Sequence, residues 1–244
     1  MPVGLTSRAL RRRATRRENT ILNMYPESIW IIGAGRFGRL AANRLGTRCG
    51  REKLFIVDRD REVLSSLRAE GYCVERSDGV DFLVRHLAPS RGPAWIVPAL
   101  PRHLAFEWLR RKLGNLVTPA PVEVPEALLK DIPVVIHGQE GAVYLSIACH
   151  RCPDDCPEPE SYCTVTGRPR PLEICAYLEQ QRQPGWNLVV VRSRQLAPGV
   201  GGFPPADLWA AAVQLAAGGP GLVATACRCH GVMHALNVRA PVDP

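Results

Sequence analysis

Long apolar runs are missing from this chain of 244 residues. Stretches such as 188–191 end far short of the ~20 residues that span a bilayer, so no membrane insertion is expected. No apolar segment follows the arginines near the start, so neither a secretory nor a twin-arginine signal is formed. Internal repeats and a heptad seam are also lacking, which excludes solenoids and coiled coils. Acids are scarce in one place: residues 1–23 hold six arginines (Arg8, Arg11, Arg12, Arg13, Arg16, Arg17) against Glu18. That leaves +5 there, and only +3 of the total +8 on the other 221 residues. The globular part is not basic enough for a general nucleic-acid surface, and no nucleic-acid partner is expected. Residues 1–23 read as a basic, disordered leader, with Met24 standing where a domain would begin.

What is present is an ordinary globular composition, 46% hydrophobic and 22% charged, long enough for one large domain or two small ones. Nine cysteines stand out. Without an export signal the compartment is expected to be the cytoplasm, where thiols stay reduced and clustered cysteines point to metal or redox work. Cys73 and Cys175 have apolar neighbours and read as core thiols. Cys49, between Arg48 and Gly50, reads as a loop thiol.

Strand and helix alternate through the first half. Apolar runs predict strands over 29–32, 54–57, 72–75 and 95–97, and helical periodicity predicts helices over 36–45, 61–70, 80–87 and 103–113. Such βα units imply a parallel sheet with helices on both faces. Pro119, Pro121, Pro125 and Pro133 then interrupt the pattern. Beyond them, strands are expected over 134–136, 143–147, 188–191 and 222–226 and helices over 171–181 and 207–217. A cysteine- and proline-rich loop fills 149–171. The segment 192–202 reads as a strand end entering a glycine-rich loop, with arginines suited to an anionic group or simply a flexible connection.

Gly33-Ala34-Gly35-Arg36-Phe37-Gly38 fits G-x-G-x-x-G between an apolar strand and an amphipathic helix, the context that gives this pattern meaning. Gly33 would permit the tight turn, Gly35 the approach of a pyrophosphate, and Gly38 close packing of helix on sheet. Free amides at the helix start would face the phosphates. Asp58 ends the second strand, 20 positions after Gly38, where a carboxylate accepts from both ribose hydroxyls and repels a 2′-phosphate. NAD(H) is thereby favoured over NADP(H), although Arg59 and Arg61 would suit a phosphate. The expected class is α/β, organised as a basic leader (1–23), a Rossmann-type NAD-binding domain with a parallel sheet (24–130), and a smaller α/β region carrying a cysteine-rich metal loop (131–244).

The run Ile31-Ile32-Gly33-Ala34-Gly35-Arg36-Phe37-Gly38, then Val57-Asp58-Arg59-Asp60, then Gly71-Tyr72-Cys73-Val74 with Asp78 shortly after, resembles the TrkA-N (RCK-type) nucleotide-binding domain over roughly residues 28–113. The resemblance implies NAD(H) or adenine-nucleotide binding through Gly33, Gly35, Gly38 and Asp58, and a family role in regulating potassium transport. Nothing after about residue 130 resembles an RCK partner domain, and the cysteine loop is foreign to it.

Cys149, Cys152, Cys156 and Cys163 form C-x2-C-x3-C-x6-C, with prolines after Cys152 and Cys156 that stiffen the loop. Four thiolates within fifteen residues can enclose one centre, zinc or iron–sulfur, although neither zinc-finger nor ferredoxin spacing is matched. Cys227, Cys229 and His230 form a second cluster able to complete the first or build its own site. His230 and His234 would share one face if this segment is helical. The cysteine loop is expected to lie far from the glycine-rich turn.

These features predict an NAD(H)-binding oxidoreductase or redox protein with a cysteine-ligated centre, acting on a small-molecule substrate or redox partner that the residues do not name. A homo-oligomer is compatible with the sequence. Whether the chain is an enzyme stays open: His137, Glu140, His230 and His234 are the candidate proton donors. The alternative is a non-enzymatic nucleotide sensor regulating a transporter or another partner.

Overall fold

The computed structural model describes residues 27–118 and 122–240. The leader, 1–23, lies outside them. Four parallel strands open the fold: β1 (Ile29–Ile32), β2 (Leu54–Asp58), β3 (Cys73–Arg76) and β4 (Trp95–Pro98), in the order β3-β2-β1-β4. Helices α1 (Arg36–Cys49), α2 (Arg61–Ala69), α3 (Gly79–His86) and α4 (Leu104–Leu113) connect and follow them. The alternation along β1 explains how the sheet is covered. Trp30 and Ile32 enter one core with α3 and α4, while Ile29 and Ile31 enter another with α1 and α2. Helix starts are set by short acids: Asp60 accepts from the N–H groups of Glu62 and Val63, and Asp78 from those of Val80 and Asp81.

The second half builds β5 (Val134–His137), β6 (Val143–Ser146), α5 (Ile174–Gln180), β7 (Asn187–Arg192), β8 (Arg194–Ala197), β9 (Val200–Gly202), α6 (Pro205–Leu215), β10 (Gly219–Ala226) and β11 (His230–Val238). Five of these strands form a sheet ordered β5-β6-β11-β10-β7, antiparallel except for the β10–β7 pair. β8 and β9 form a hairpin, tied to the first sheet where Ile96 and Phe203 exchange backbone hydrogen bonds. One core is continuous across both halves. Trp30, Phe82 and Trp108 share it with Val189, Leu208, Val223 and Leu236, so α3, α4 and α6 lie between the two sheets.

Several expectations are corrected. The segment 227–234 is no helix: it is a tight turn followed by β11, held by pairing with β10 and β6. The segment 192–202 is the end of β7 and the β8–β9 hairpin, not an open loop. Cys49 is the last residue of α1, half-buried, and its thiol donates back to the Leu45 carbonyl at 3.0 Å. The helix runs on to Cys49 because termination waits for Gly50, whose φ of 92° suits glycine. Among the described residues, no helix is long and apolar enough to cross a membrane.

Candidate functional site

The glycine-rich turn joins β1 to α1. Gly33 has φ 108°, and a Cβ there would sit 2.5 Å from the Ala99 carbonyl oxygen after β4. A Cβ on Gly38 would lie 1.9 Å from the Gly33 carbonyl oxygen, so helix and turn touch as closely as backbones allow. Gly35 is different: nothing among the described residues lies within 4 Å of where a Cβ would stand, leaving its face open. Gly35 also precedes α1 with no side-chain cap and no acid in the helix's first turn. An uncapped helix start beside an open glycine is what a pyrophosphate requires, so the residues present fit a dinucleotide.

Asp58 has partners of its own within the turn. One oxygen accepts from the Ala34 N–H at 2.5 Å and the other from the Asp60 N–H at 2.9 Å, so the carboxylate holds the turn in shape. Arg59, expected as a phosphate partner, is instead ion-paired with Asp78, which also accepts from Arg102 at 3.0 Å. Burial pushes the Asp78 carboxyl up, but Arg102, Arg59 and the Val80 N–H outweigh it and leave it below the ordinary carboxylate value. Arg36, at the head of α1, is ion-paired with Asp154 of the cysteine loop.

That last contact corrects the expected separation. The cysteine loop is docked on α1, not remote from the turn. Arg44 donates to the Asp154 carbonyl at 2.8 Å and also to Pro198, and Arg48 donates to the Leu196 carbonyl at 2.6 Å. The Gly199 N–H and the Gln195 side chain both donate to the Cys156 carbonyl, at 3.0 and 2.8 Å. At the loop's other side Arg228 pairs with Glu173 at 3.0 Å, and its N–H donates to Glu158.

Between loop, hairpin and α1 lies a cavity of about 510 Å³. Cys149, Cys152, Cys156, Cys163, Cys227, Cys229, His150 and His230 all line it, and so does Phe37 of the glycine-rich turn. Both predicted cysteine clusters therefore face one space. Cys227 Sγ accepts from the N–H groups of Cys229 and His230, both at 3.4 Å. The N–H groups of Thr166 and Val165 point at Cys163 and hold its thiol below the ordinary value. Arg170 Nε donates to Cys229 Sγ at 3.1 Å. Burial pushes the thiols of Cys152, Cys227 and Cys229 up, and neighbouring sulfurs add to this at Cys152. Cys152 Sγ lies 3.6 Å from His230 Nε2, and Cys163 Sγ 3.8 Å from His150 Nε2. Among the described residues, no group of three or more His, Cys, Asp or Glu side chains closes around a single metal position.

The remaining candidates go elsewhere. His137 is exposed near Glu126, 3.7 Å away, and Glu140 sits in the β5–β6 turn with φ 56°. His230 and His234 do not share a site. His234 is buried, its Nδ1 3.0 Å from Nδ1 of His103, whose Nε2 is 2.8 Å from Thr225 Oγ1. Sequence reasoning missed His103, a lone histidine with no motif around it. It also passed over His150, although that residue stands inside the cluster, and Arg170, whose link to Cys229 spans 59 positions.

Comparison with known proteins finds two family models along the chain. Residues 29–86 match the family model of the TrkA-N domain, a nucleotide-binding Rossmann-like domain. Residues 105–239 match a family model described as "Uncharacterized protein, C-terminal domain". A protein of Archaeoglobus fulgidus, described as an uncharacterized protein, is 32% identical over 219 residues, covering 85% of this chain and 98% of that relative. No solved structure matches the chain. With more than half of its residues in the second model and a relative aligned over nearly its whole length, the chain belongs to the family that this C-terminal domain defines, here joined to an N-terminal TrkA-N domain.

Proposed function

We propose that the protein is an NAD(H)-binding redox protein, an oxidoreductase in which the dinucleotide on the glycine-rich turn adjoins a cysteine-ligated centre of zinc or iron–sulfur. The observation that carries this reading is the shared wall. Phe37 belongs to the turn and lines the cysteine cavity, and Arg36 reaches from the helix start to Asp154 in the loop. Gly33, Ala34, Gly35 and Gly38 would admit the pyrophosphate, the α1 amides would bind it, and Asp58 would keep the turn in place while presenting its remaining lone pairs to the ribose. When bound, the dinucleotide would supply or accept a hydride; a zinc centre would polarise a substrate carbonyl, and an iron–sulfur centre, taking one electron at a time, would pass electrons on only through an intermediary between it and the hydride.

A second reading is favoured by the Arg36–Asp154 pair. A phosphate that competes for Arg36 would loosen the loop, which is how a nucleotide sensor would signal to a transporter or another partner. One preparation separates the two readings: the full chain purified anaerobically, analysed for metal and acid-labile sulfide, then titrated with NADH and NADPH by calorimetry. Metal-loaded protein that binds NADH more tightly than NADPH supports the redox reading. Metal-free protein in which NADH only speeds cleavage of the 149–171 loop favours the sensor. Failure to bind either dinucleotide would sink both.

A further inference from the structure

The glycine-rich turn leaves the carboxyl end of β1, which has β2 on one side and β4 on the other. Asp58 ends β2, so a ribose held by its carboxylate lies on the β2 side of the turn. A dinucleotide whose pyrophosphate lies at Gly35 then sends its other half toward β4. That half can leave on either face of the sheet. The way on the α3 face is filled by Leu100, which follows β4. Its side-chain carbons lie 3.1 and 3.0 Å from where a Cβ would stand on Gly33 and on Gly79. The way on the α1 face leads to the cysteine-lined cavity. There β9 runs antiparallel beside β4: Phe203 pairs with Ile96, and a Cβ on Gly202 would stand 3.0 Å from the Ile96 carbonyl oxygen. Val200 thereby reaches the carboxyl end of β4, in one buried cluster with Ala34 of the turn and Ala99. Val200 and Phe37 both line the cavity.

From this placement, and resting on the reading of the turn as a dinucleotide site, we infer that the cavity receives the nicotinamide end of NAD(H), with Phe37 as the positioning residue against the ring. Phe37 is 54% exposed, so its phenyl group offers an apolar surface at the cavity wall. The Arg36 guanidinium lies over this ring, 5.3 Å from its centroid, and the exposed remainder is what a planar nicotinamide can stack on. The volume of about 510 Å³ is that of a site enclosing a small molecule. Gln195, on the hairpin wall, supplies a polar contact. Its Nε2 donates to the Cys156 carbonyl at 2.8 Å, which fixes the side chain. Its Oε1 has no partner among the described residues and is an acceptor for the carboxamide N–H. ADP-ribose and adenine mononucleotides carry no group for this cavity, so the arrangement selects whole dinucleotides. It also sets the hydride-carrying ring in the same space as the thiols.

The test is calorimetry of the full chain with NADH and with ADP-ribose, which shares the adenosine and pyrophosphate but lacks the nicotinamide. The parent, Phe37→Ala and Phe37→Leu are compared, each checked by thermal melting. The parent should bind NADH at least about tenfold more tightly than ADP-ribose, since only NADH fills the cavity. Phe37→Ala should weaken NADH roughly three- to tenfold and leave ADP-ribose within about twofold, with Phe37→Leu between the two. Bound NADH should also show brighter, blue-shifted emission in the parent, and less of both in Phe37→Ala. Because Phe37 is exposed, both variants should melt like the parent; if Phe37→Ala melts early, Phe37→Leu carries the comparison. Equal binding of NADH and ADP-ribose by the parent overturns the inference while the turn stands as a nucleotide site. A folded variant that binds NADH like the parent, or loses both ligands alike, overturns it too. A parent that binds neither removes the dinucleotide reading itself.

Discussion

The buried histidine pair makes stability depend on pH in a direction and amount that follow from its geometry. His103 and His234 lie 7% and 8% exposed between α4 and β11, with Phe106 stacked against both rings. Burial pushes both imidazoles below their ordinary value, His103 strongly and with help from its neighbour, while the carboxylates of Glu107 and Glu140 pull His234 partly back. In the neutral pair one Nδ1 donates to the other, and the Thr225 hydroxyl satisfies His103 Nε2 in either tautomer. A first proton leaves the Nδ1–H···Nδ1 bond intact but buries a charge. A second sets two N–H groups against each other.

The sign follows from these shifts. With folded values depressed, the stabilising contribution is complete above the unfolded-state value of about 6.5 and is lost as pH falls below it. Each ring that stays neutral in the fold costs about 1.4 kcal/mol between pH 7.5 and 5.5, so the pair costs between about 1.4 and 2.7. For a chain of this size that is a fall in Tm of roughly 3–10 °C. Asp78 and Glu70 titrate beneath this window because arginines hold them low, so they add little to the slope. The assay is urea or thermal melting across the window, for the parent and His103→Phe. The variant should lose about 1–3 kcal/mol at pH 7.5, where Thr225 and His234 are left without their partner, yet lose less on acidification than the parent. A parent that melts at the same temperature at both pH values, or a variant with the full parental slope, would refute the reasoning.

Other outcomes follow from the glycine-rich turn and its contacts. Gly38→Ala should unfold at markedly lower urea, since its methyl would overlap the Gly33 carbonyl at 1.9 Å, whereas Gly35→Ala, with φ −64° and open space, should melt like the parent but bind NADH at least tenfold more weakly in calorimetry. Asp58→Ala should cost about 1.5 kcal/mol in chemical melts through the lost bonds to Ala34 and Asp60, and should narrow any preference for NADH over NADPH. Asp154→Ala should leave global stability within about 1 kcal/mol, because the pair with Arg36 is largely exposed. The same variant should speed proteolysis of the 149–171 loop and tighten NADH binding by freeing Arg36, and unchanged cleavage would remove the coupling.

The parallel sheet was legible because its signals are local. Each strand is a short run with an apolar period, each helix has a stripe, and Asp58 sits at the offset from Gly38 that the dinucleotide fold uses. The second half was legible only in part. β11 carries apolar residues on both faces between histidines, so its strand character comes from pairing with β10 and β6 and not from its own pattern. The β8–β9 hairpin is likewise fixed from outside, by Phe203 bonding to Ile96 and by arginines of α1. His103 gave no signal at all, since burial beside His234 depends on contacts 131 positions away.

The meeting of the two cysteine clusters shows where sequence reading stops. Spacing alone can say that Cys149 to Cys163 are close, and that Cys227 and Cys229 are close, but not that the two groups face each other. The sheet decides it. β6 and β11 are antiparallel neighbours in which Ser146 pairs with His230, so the chain leaving β6 toward Cys149 departs beside the β10–β11 turn that carries Cys227 to His230. The Ile147 N–H donates to the Cys229 carbonyl at 3.0 Å and extends that pairing to the cavity's edge. β7 ends at the same edge, and the Ser193 N–H bonds to the Ala226 carbonyl at 2.8 Å before the hairpin turns toward α1. Three strand ends therefore deliver the thiols, the histidines and the hairpin to one side of the mixed sheet. The arginines of α1 then close that side against the helix that follows the glycine-rich turn. A register shift of one residue between β6 and β11 would turn His230 to the opposite face of the sheet and separate the clusters, so the cavity depends on the pairing register as much as on its cysteines.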